Sequence, residues 1–276
     1  MGRVVVIGDV GGHPDQLRWA LSQVGARGQR PVLPDDVTVV QVGDLVDRGP
    51  DSLAVLDLVG PLMRSQPAQW VQLVGNHEWQ YLPEGERYWP DALAPEGVRT
   101  LTDWWDRRLM NVAAAVATAD GQEWLLSHAG LTVGAWQELA APITATSAVW
   151  LLNDRPALVG RGRARLIDRS IGPLWAEAGW ELYEPWLDYH AAGGLVPFGQ
   201  IHGHSSIVHF VDRAWRAPGR VQQRATVDWA SRQVRVRIGG RTFIGVDPKH
   251  GQHGAASWQP LIFDDATVLS PASVGG

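Results

Sequence analysis

Three short apolar runs in the first 76 residues each end in a glycine followed by a side chain with a ligating oxygen. They are residues 3–8 before Asp9, residues 37–42 before Gly43-Asp44, and residues 69–74 before Gly75-Asn76. The runs are continuous and rich in β-branched residues, as buried strands are. Between the first two, Pro14 sits where a first helical turn tolerates it, and Leu17, Ala20, Leu21 and Val24 recur at helical spacing. Between the second and third, Asp51 or Ser52 caps a helix that Gly60-Pro61 is expected to stop or kink near Val59. Strand, helix, strand, helix, strand is the α/β pattern, in which polar groups gather at the carboxyl ends of parallel strands. Taken alone, it points to a doubly wound sheet.

The second half is patterned differently. Residues 112–118 and 122–127 read as a strand pair turned at Asp120-Gly121, and residues 133–152 read as helical. Residues 155–197, rich in Arg, Gly, Pro and Trp, give no clear period. Short strands follow at about 198–202, 206–211, 222–228, 232–238, 241–246 and 259–263, two of them separated by Gly239-Gly240. No repeat or linker divides the 276 residues, so a single domain over 1–276 is expected.

Five segments offer metal ligands in order: Gly8-Asp9, Gly43-Asp44, Gly75-Asn76-His77-Glu78, Ser127-His128-Ala129-Gly130 and His202-Gly203-His204-Ser205. Carboxylate, amide oxygen and imidazole together suit Mn²⁺, Fe or Zn²⁺. A glycine before the ligand lets the backbone turn sharply out of its strand. Each Asp or Asn taken singly can be a helix cap, and His128 taken singly says nothing. The ordered set carries the signal.

The segments, with Gly43-Asp44-Leu45-Val46-Asp47-Arg48-Gly49 and Gly75-Asn76-His77-Glu78 the most specific, resemble the motif series of the calcineurin-like metallophosphoesterases. They are most similar to the branch holding Ser/Thr phosphoprotein phosphatases and bacterial diadenosine tetraphosphatases. The resemblance spans residues 8–204 and implies a fold of two mixed β-sheets packed as a sandwich flanked by helices. Specificity-setting insertions are then expected at roughly 79–110 and 132–197. It further implies that Asp44 bridges two metals, that Asn76, His128 and His204 complete one shell, and that Asp9 belongs to the other. His77 becomes the general acid oriented by Asp47, and Arg48 holds phosphate oxygens. One or two divalent ions are expected, Mn²⁺ first and Fe or Zn²⁺ next. The expected substrate is a phosphorylated protein or nucleotide.

The chain departs from the family at one ligand. Where the first motif normally reads Asp-X-His, the third position here is Gly11, in Asp9-Val10-Gly11-Gly12-His13. Three outcomes stay open: His13 swings in, the first metal binds weakly through oxygen ligands, or the first site is empty. The last outcome leaves a non-catalytic protein that binds a phosphorylated ligand through Arg48 and one metal. His13 also reads simply as the residue that starts the first helix.

Other positions carry weaker signals. Arg155 lies in a stretch that in relatives approaches the substrate, and Arg161, Arg163 and Arg165 either read further phosphates or form a solvated face. His202 alternates with His204 as second shell or structure, Glu78 reads as structural support, and Asp247 as part of a closing strand-end segment. His190, His209, His250 and His253 receive no role. Trp79, Tyr81, Tyr88, Trp89, Trp104 and Trp105 are core residues or stacking surfaces. The net charge of −5 and Ser206, where nuclease-like relatives carry a second histidine, argue against nucleic acid as partner. With no cysteine there is no disulfide or thiolate ligand. No apolar run nears the roughly 18 residues of a membrane span, and the N-terminus has no signal-peptide core, so the cytoplasm is the expected location. Lys249 is the only lysine, an arginine bias expected of a GC-rich bacterial genome.

Overall fold

The computed structural model describes residues 2–154, 172–250 and 258–269. Its first part follows the expected alternation: β1 (Gly2–Ile7), α1 (Pro14–Gln23), β2 (Val37–Gln41), α2 (Ser52–Ser65), β3 (Trp70–Leu73), the single turn α3 (Asn76–Trp79), α4 (Pro95–Asp106) and β4 (Met110–Asn111). The antiparallel pair β5 (Ala113–Ala117) and β6 (Glu123–Ser127) comes next, then α5 (Val133–Glu138) and α6 (Ala145–Asp154). After a π-helical stretch at Ala178–Tyr183 come α7 (Glu184–Ala191), β7 (Gly199–His202), the two-residue strands β8 (Val208–His209) and β9 (Ala214–Trp215), and α8 (Gly219–Gln222). The chain closes with β10 (Ala225–Asp228), β11 (Gln233–Ile238), β12 (Arg241–Gly245) and β13 (Leu261–Leu269).

The main ladder runs β10-β11-β12-β7-β6-β5-β13-β1-β2-β3-β4. β1 to β4 are parallel, and β6, β7 and β12 are parallel. β13 joins the two halves: Leu261 to Phe263 and Ala266 pair with β1, whereas Thr267 to Leu269 pair with β5. Asp265, at a left-handed φ of 52°, lies in a bulge of the pairing with β1, and beyond Ala266 the strand passes to β5.

Period-2 alternation then builds two cores. Val4, Val6, Val40, Val42 and Leu73 turn inward and pack with Ala114, Val116, Trp124, Leu126, Ile201 and Ile244 of the other layer. Val5, Ile7, Val37 and Val39 turn outward and pack beneath helices with Leu17, Leu21, Val55 and Leu62. The sandwich is therefore two wings of one ladder, with helices outside.

Several elements differ from their expectation: the strand expected at 259–263 runs instead from Leu261 to Leu269, and the one expected at 222–228 starts at Ala225, after α8. α2 does not stop at Val59 but runs through Pro61 to Ser65, because the turn beyond buries Leu62 and Met63; packing outweighs the lost hydrogen bond. The helix expected over 133–152 breaks in two, with Ala140 and Ala141 at φ 62° and 51° before Pro142. The strand expected at 206–211 shortens to β8.

Candidate active site

Five strands deliver the motif residues to one edge of the sandwich: Asp9 after β1, Asp44 after β2, Asn76 after β3, His128 after β6 and His204 after β7. Their turns are packed backbone to backbone. A Cβ on Gly43 would lie 2.5 Å from the Gly75 amide nitrogen and 2.9 Å from His128 Nδ1, so glycine is required there. Buried Gln41 fixes two of the turns, donating to the carbonyls of Gly8 (3.1 Å) and Gly43 (2.7 Å) and accepting from Gly43 N (3.0 Å). Gln72, its register partner on β3, donates to the Gln41 oxygen.

Glu78 clamps the next layer. Its carboxylate accepts from Asp44 N (2.8 Å), Leu45 N (2.7 Å) and Gly75 N (2.8 Å). Burial and the nearby Asp44 charge push its pKa up to about 7. The clamped loop holds Asp44, Asp47 and Arg48 at φ 57°, 66° and 63°, a left-handed run that only a restrained loop sustains.

Four donor groups meet at one point. Asn76 Oδ1 lies 2.9 Å from His128 Nε2 and 3.0 Å from His204 Nδ1, and the two ring nitrogens are 3.2 Å apart. Asp44 Oδ1 is 3.3 Å from His128 Nε2, and Asp44 Oδ2 is buried without a partner. His128 Nδ1 faces the Val42 carbonyl at 2.9 Å. A carbonyl only accepts, so the proton sits on Nδ1 and Nε2 presents a lone pair. Burial keeps His128 and His204 below the usual histidine range. Asp44 is held far below the usual carboxylate range: burial opposes this, but neighbouring positive charge, that of Arg48 included, overrides it. A carboxylate oxygen, an amide oxygen and an imidazole lone pair converging with few protons between them is a donor set that fits a divalent cation.

Tyr88 completes this centre: Asn76 Nδ2 donates to its hydroxyl at 2.5 Å, which turns Oδ1 toward the histidines. Tyr88, Trp89 and Trp175 form an aromatic wall, with ring centres 5.3 Å (Tyr88–His77), 4.9 Å (Trp89–His77) and 5.0 Å (Tyr88–Trp175) apart.

His77 is fully buried. Its amide donates to Asp44 Oδ1 (3.0 Å), and its Nδ1 lies 2.8 Å from Asp47 Oδ2. Gln80 and Tyr81 in turn hold Asp47, at 2.7 and 2.8 Å. Arg48 lies at the solvent side, its Nε and Nη2 on His77 Nε2 at 3.2 and 3.0 Å.

Asp9 is near this centre but outside the donor cluster; its Oδ1 accepts from His204 N at 2.9 Å. Burial, Asp247 and Asp44 push its pKa well up. Asp247 is buried beside it, bound by Lys249 through the backbone amide (2.8 Å) and Nζ (3.1 Å). Lys249 Nζ also donates to the His204 carbonyl at 3.2 Å. His13 does not join the cluster: it precedes α1 and stacks on His250, ring centres 4.8 Å apart. His202 points away, its Nε2 bonded to the Tyr183 hydroxyl at 2.6 Å. Arg155, Arg161, Arg163, Arg165 and His253 lie outside the described residues. Sequence reasoning missed Trp175, Lys249 and His250. The singular lysine was the one available signal for Lys249, and Trp175 had none among 15 tryptophans.

A family model described as calcineurin-like phosphoesterase matches residues 2–208. The asymmetrical bis(5'-nucleosyl)-tetraphosphatase PrpE of Halalkalibacterium halodurans is 39% identical over 74 residues, 26% of this chain and 29% of that protein. The chain thus aligns with under a third of that relative's length. Among solved structures, a cold-active protein-tyrosine phosphatase of a psychrophilic Shewanella species matches with a TM-score of 0.53. It is 16% identical, over 96% of this chain and 76% of that one, a likeness of fold.

Proposed function

This chain belongs to the calcineurin-like phosphoesterase family, and we propose that it hydrolyses a phosphomonoester or phosphoanhydride with a divalent cation held by Asp44, Asn76, His128 and His204. The observation that carries this is the convergence of their donor atoms beside His77 and Arg48. A cation bound there, Mn²⁺ in our reading with Fe or Zn²⁺ next, supplies Lewis acidity toward a phosphoryl oxygen and lowers the pKa of the attacking water. Arg48, open to solvent, binds non-bridging phosphate oxygens in the cleft. His77, fixed by Asp47, carries a proton to the leaving oxygen.

The substrate is a phosphoprotein or a dinucleoside polyphosphate. The wall of Tyr88, Trp89 and Trp175 suits a planar group on either, a phosphotyrosine ring or a base. The whole chain, 1–276, acts as one domain, with 79–110 and 132–197 as specificity insertions, in a bacterial cytoplasm. Among the described residues no helix is long and apolar enough to cross a membrane.

Gly11 supports a second reading, a non-catalytic binder of phosphorylated ligands through Arg48 and one cation. The two separate in a screen of aryl phosphates, phosphopeptides and dinucleotides with Mn²⁺, run on the wild type and on His77→Ala. Turnover that collapses in the variant supports the enzyme. Binding of phosphorylated ligands with no turnover of any of them supports the binder.

A further inference from the structure

His202 is fully buried and stands outside the cation cluster, yet both of its ring nitrogens are engaged. Nδ1 lies 2.9 Å from the Gly203 carbonyl, and Nε2 lies 2.6 Å from the Tyr183 hydroxyl. A carbonyl only accepts, so the ring proton is on Nδ1. Nε2 then offers a lone pair, and the Tyr183 O–H donates to it. Burying polar groups costs free energy unless they are bonded, and an apolar pair would fill the same space without that cost. The bonds of this pair lead to one place, the peptide that enters His204.

Both polar groups of that peptide are held. The Gly203 carbonyl accepts from His202 Nδ1 and, at 2.6 Å, from Ser205 N. His204 N donates to Asp9 Oδ1 at 2.9 Å. One peptide earlier, Gly203 N donates to the His128 carbonyl at 2.8 Å and ties the turn to the other histidine of the cluster. The restraint is needed because His204 stands at a left-handed φ of 61°, which a residue with a side chain holds only under constraint. This backbone brings His204 Nδ1 to 3.0 Å from Asn76 Oδ1. One element grips the turn at two points. In the π-helical stretch Ala178–Tyr183, Ala178 N donates to Ser205 Oγ at 2.9 Å, and Tyr183 at the other end reaches His202. π-helical turns are rare and collect at functional sites.

We propose that Tyr183 and His202 are positioning residues of the cation centre. Tyr183 fixes the tautomer and rotation of the His202 ring. His202 in turn fixes the Gly203 carbonyl, and with it the direction of His204. Groups that stand behind a metal ligand in this way are worth about 10–100-fold in metal affinity. The inference rests on the cation site of the reading above, and its test reads metal affinity and the metal-free protein rather than turnover.

Mn²⁺ affinity is measured by titration calorimetry for the wild type, Tyr183→Phe, His202→Leu and His202→Asn, with the melting temperature as a check on folding. Asn carries its amide nitrogen as many bonds from Cβ as Nδ1 is in histidine, and so can keep the bond to the Gly203 carbonyl. Affinity is expected to fall about tenfold or more in Tyr183→Phe and His202→Leu, and to stay within about threefold of the wild type in His202→Asn. Wild-type affinity in folded Tyr183→Phe overturns the proposal. So does an equal fall in the two folded His202 variants, the result that a merely space-filling histidine gives. Should the variants not fold, nitrogen NMR of the histidines in the metal-free wild type decides: a His202 ring protonated at Nδ1 is expected, and one protonated at Nε2 overturns the proposal. A wild type that binds no divalent cation would sink the cation site and this inference with it. Binding without turnover of any phosphoester would sink the hydrolytic reading alone, and turnover with unchanged affinity in Tyr183→Phe would sink this inference alone.

Discussion

Arg48 donates from Nε and Nη2 to the Nε2 of His77, at 3.2 and 3.0 Å. A guanidinium only donates, so this nitrogen is unprotonated and the ring proton lies on Nδ1, toward Asp47. In this arrangement His77 Nε2 has no proton to donate. In the proposed reaction a phosphoryl group gives Arg48 a better acceptor and frees Nε2 to take a proton. Arg48→Ala is accordingly expected to raise KM at least tenfold, through lost phosphate contacts, while leaving the metal content unchanged. Steady-state kinetics decide it, and an unaltered KM would remove Arg48 from substrate binding.

His77→Ala removes the proposed proton carrier but no donor atom of the Asp44–Asn76–His128–His204 cluster. The expected loss in kcat is roughly 100-fold or more, with smaller losses for substrates whose leaving group needs no proton. Comparing a phenyl with a nitrophenyl phosphate reads this directly. Equal losses on both would argue that His77 acts on something other than the leaving oxygen.

Tyr88 reaches the cation centre from the stretch between the Gly-Asn-His-Glu motif and α4, and its hydroxyl fixes the Asn76 amide. Tyr88→Phe keeps the ring and frees the amide to rotate. Groups that orient a ligand are worth about 10–100-fold in metal affinity, so Mn²⁺ should bind about tenfold more weakly by titration calorimetry. Unchanged affinity would make the hydrogen bond incidental.

Gln41 is fully buried and holds three backbone groups of the Gly8 and Gly43 turns. Gln41→Leu matches its size but leaves those groups unsatisfied, at about 1–3 kcal/mol each before relaxation. A loss of roughly 3 kcal/mol in urea unfolding is expected, with no change in m-value. A neutral result would mean that the turns stand without it.

Asp228 accepts from Ala230 N (3.1 Å) and Ser231 N (3.0 Å) in the turn between β10 and β11. The Ser231 amide bond comes first among the causes that hold its pKa below the usual carboxylate value. The depressed folded-state pKa means that the unfolded chain binds the proton more readily. The stabilisation is therefore present above about pH 4 and fades as pH falls through the folded-state value. Asp228→Ala should cost about 1 kcal/mol at neutral pH and little near pH 2, by denaturation at a series of pH values. A cost that does not shrink in acid would contradict the assignment.

Much of this was legible in the sequence because short-range chemistry dictates it. Strand runs ending in Gly8-Asp9, Gly43-Asp44 and Gly75-Asn76 announced their own carboxyl ends, and those ends meet in space. What was illegible depends on distant packing. Nothing local says that β13 changes partner from β1 to β5 beyond Ala266, nor that α2 continues through Pro61 because Leu62 and Met63 find cover. Tyr88 and His250 looked ordinary because their partners, Asn76 and His13, are brought near only by the fold.

In the proposed function, phosphoester hydrolysis depends on a cation held by Asp44, Asn76, His128 and His204. The most direct measurement is aryl phosphate turnover by chelator-stripped protein as Mn²⁺ is added back, for the wild type and for folded His128→Ala. No turnover is expected without metal, with saturable recovery in the wild type and at most weak recovery in the variant. Turnover that survives complete removal of metal, or full recovery in His128→Ala at the wild-type Mn²⁺ concentration, would contradict it.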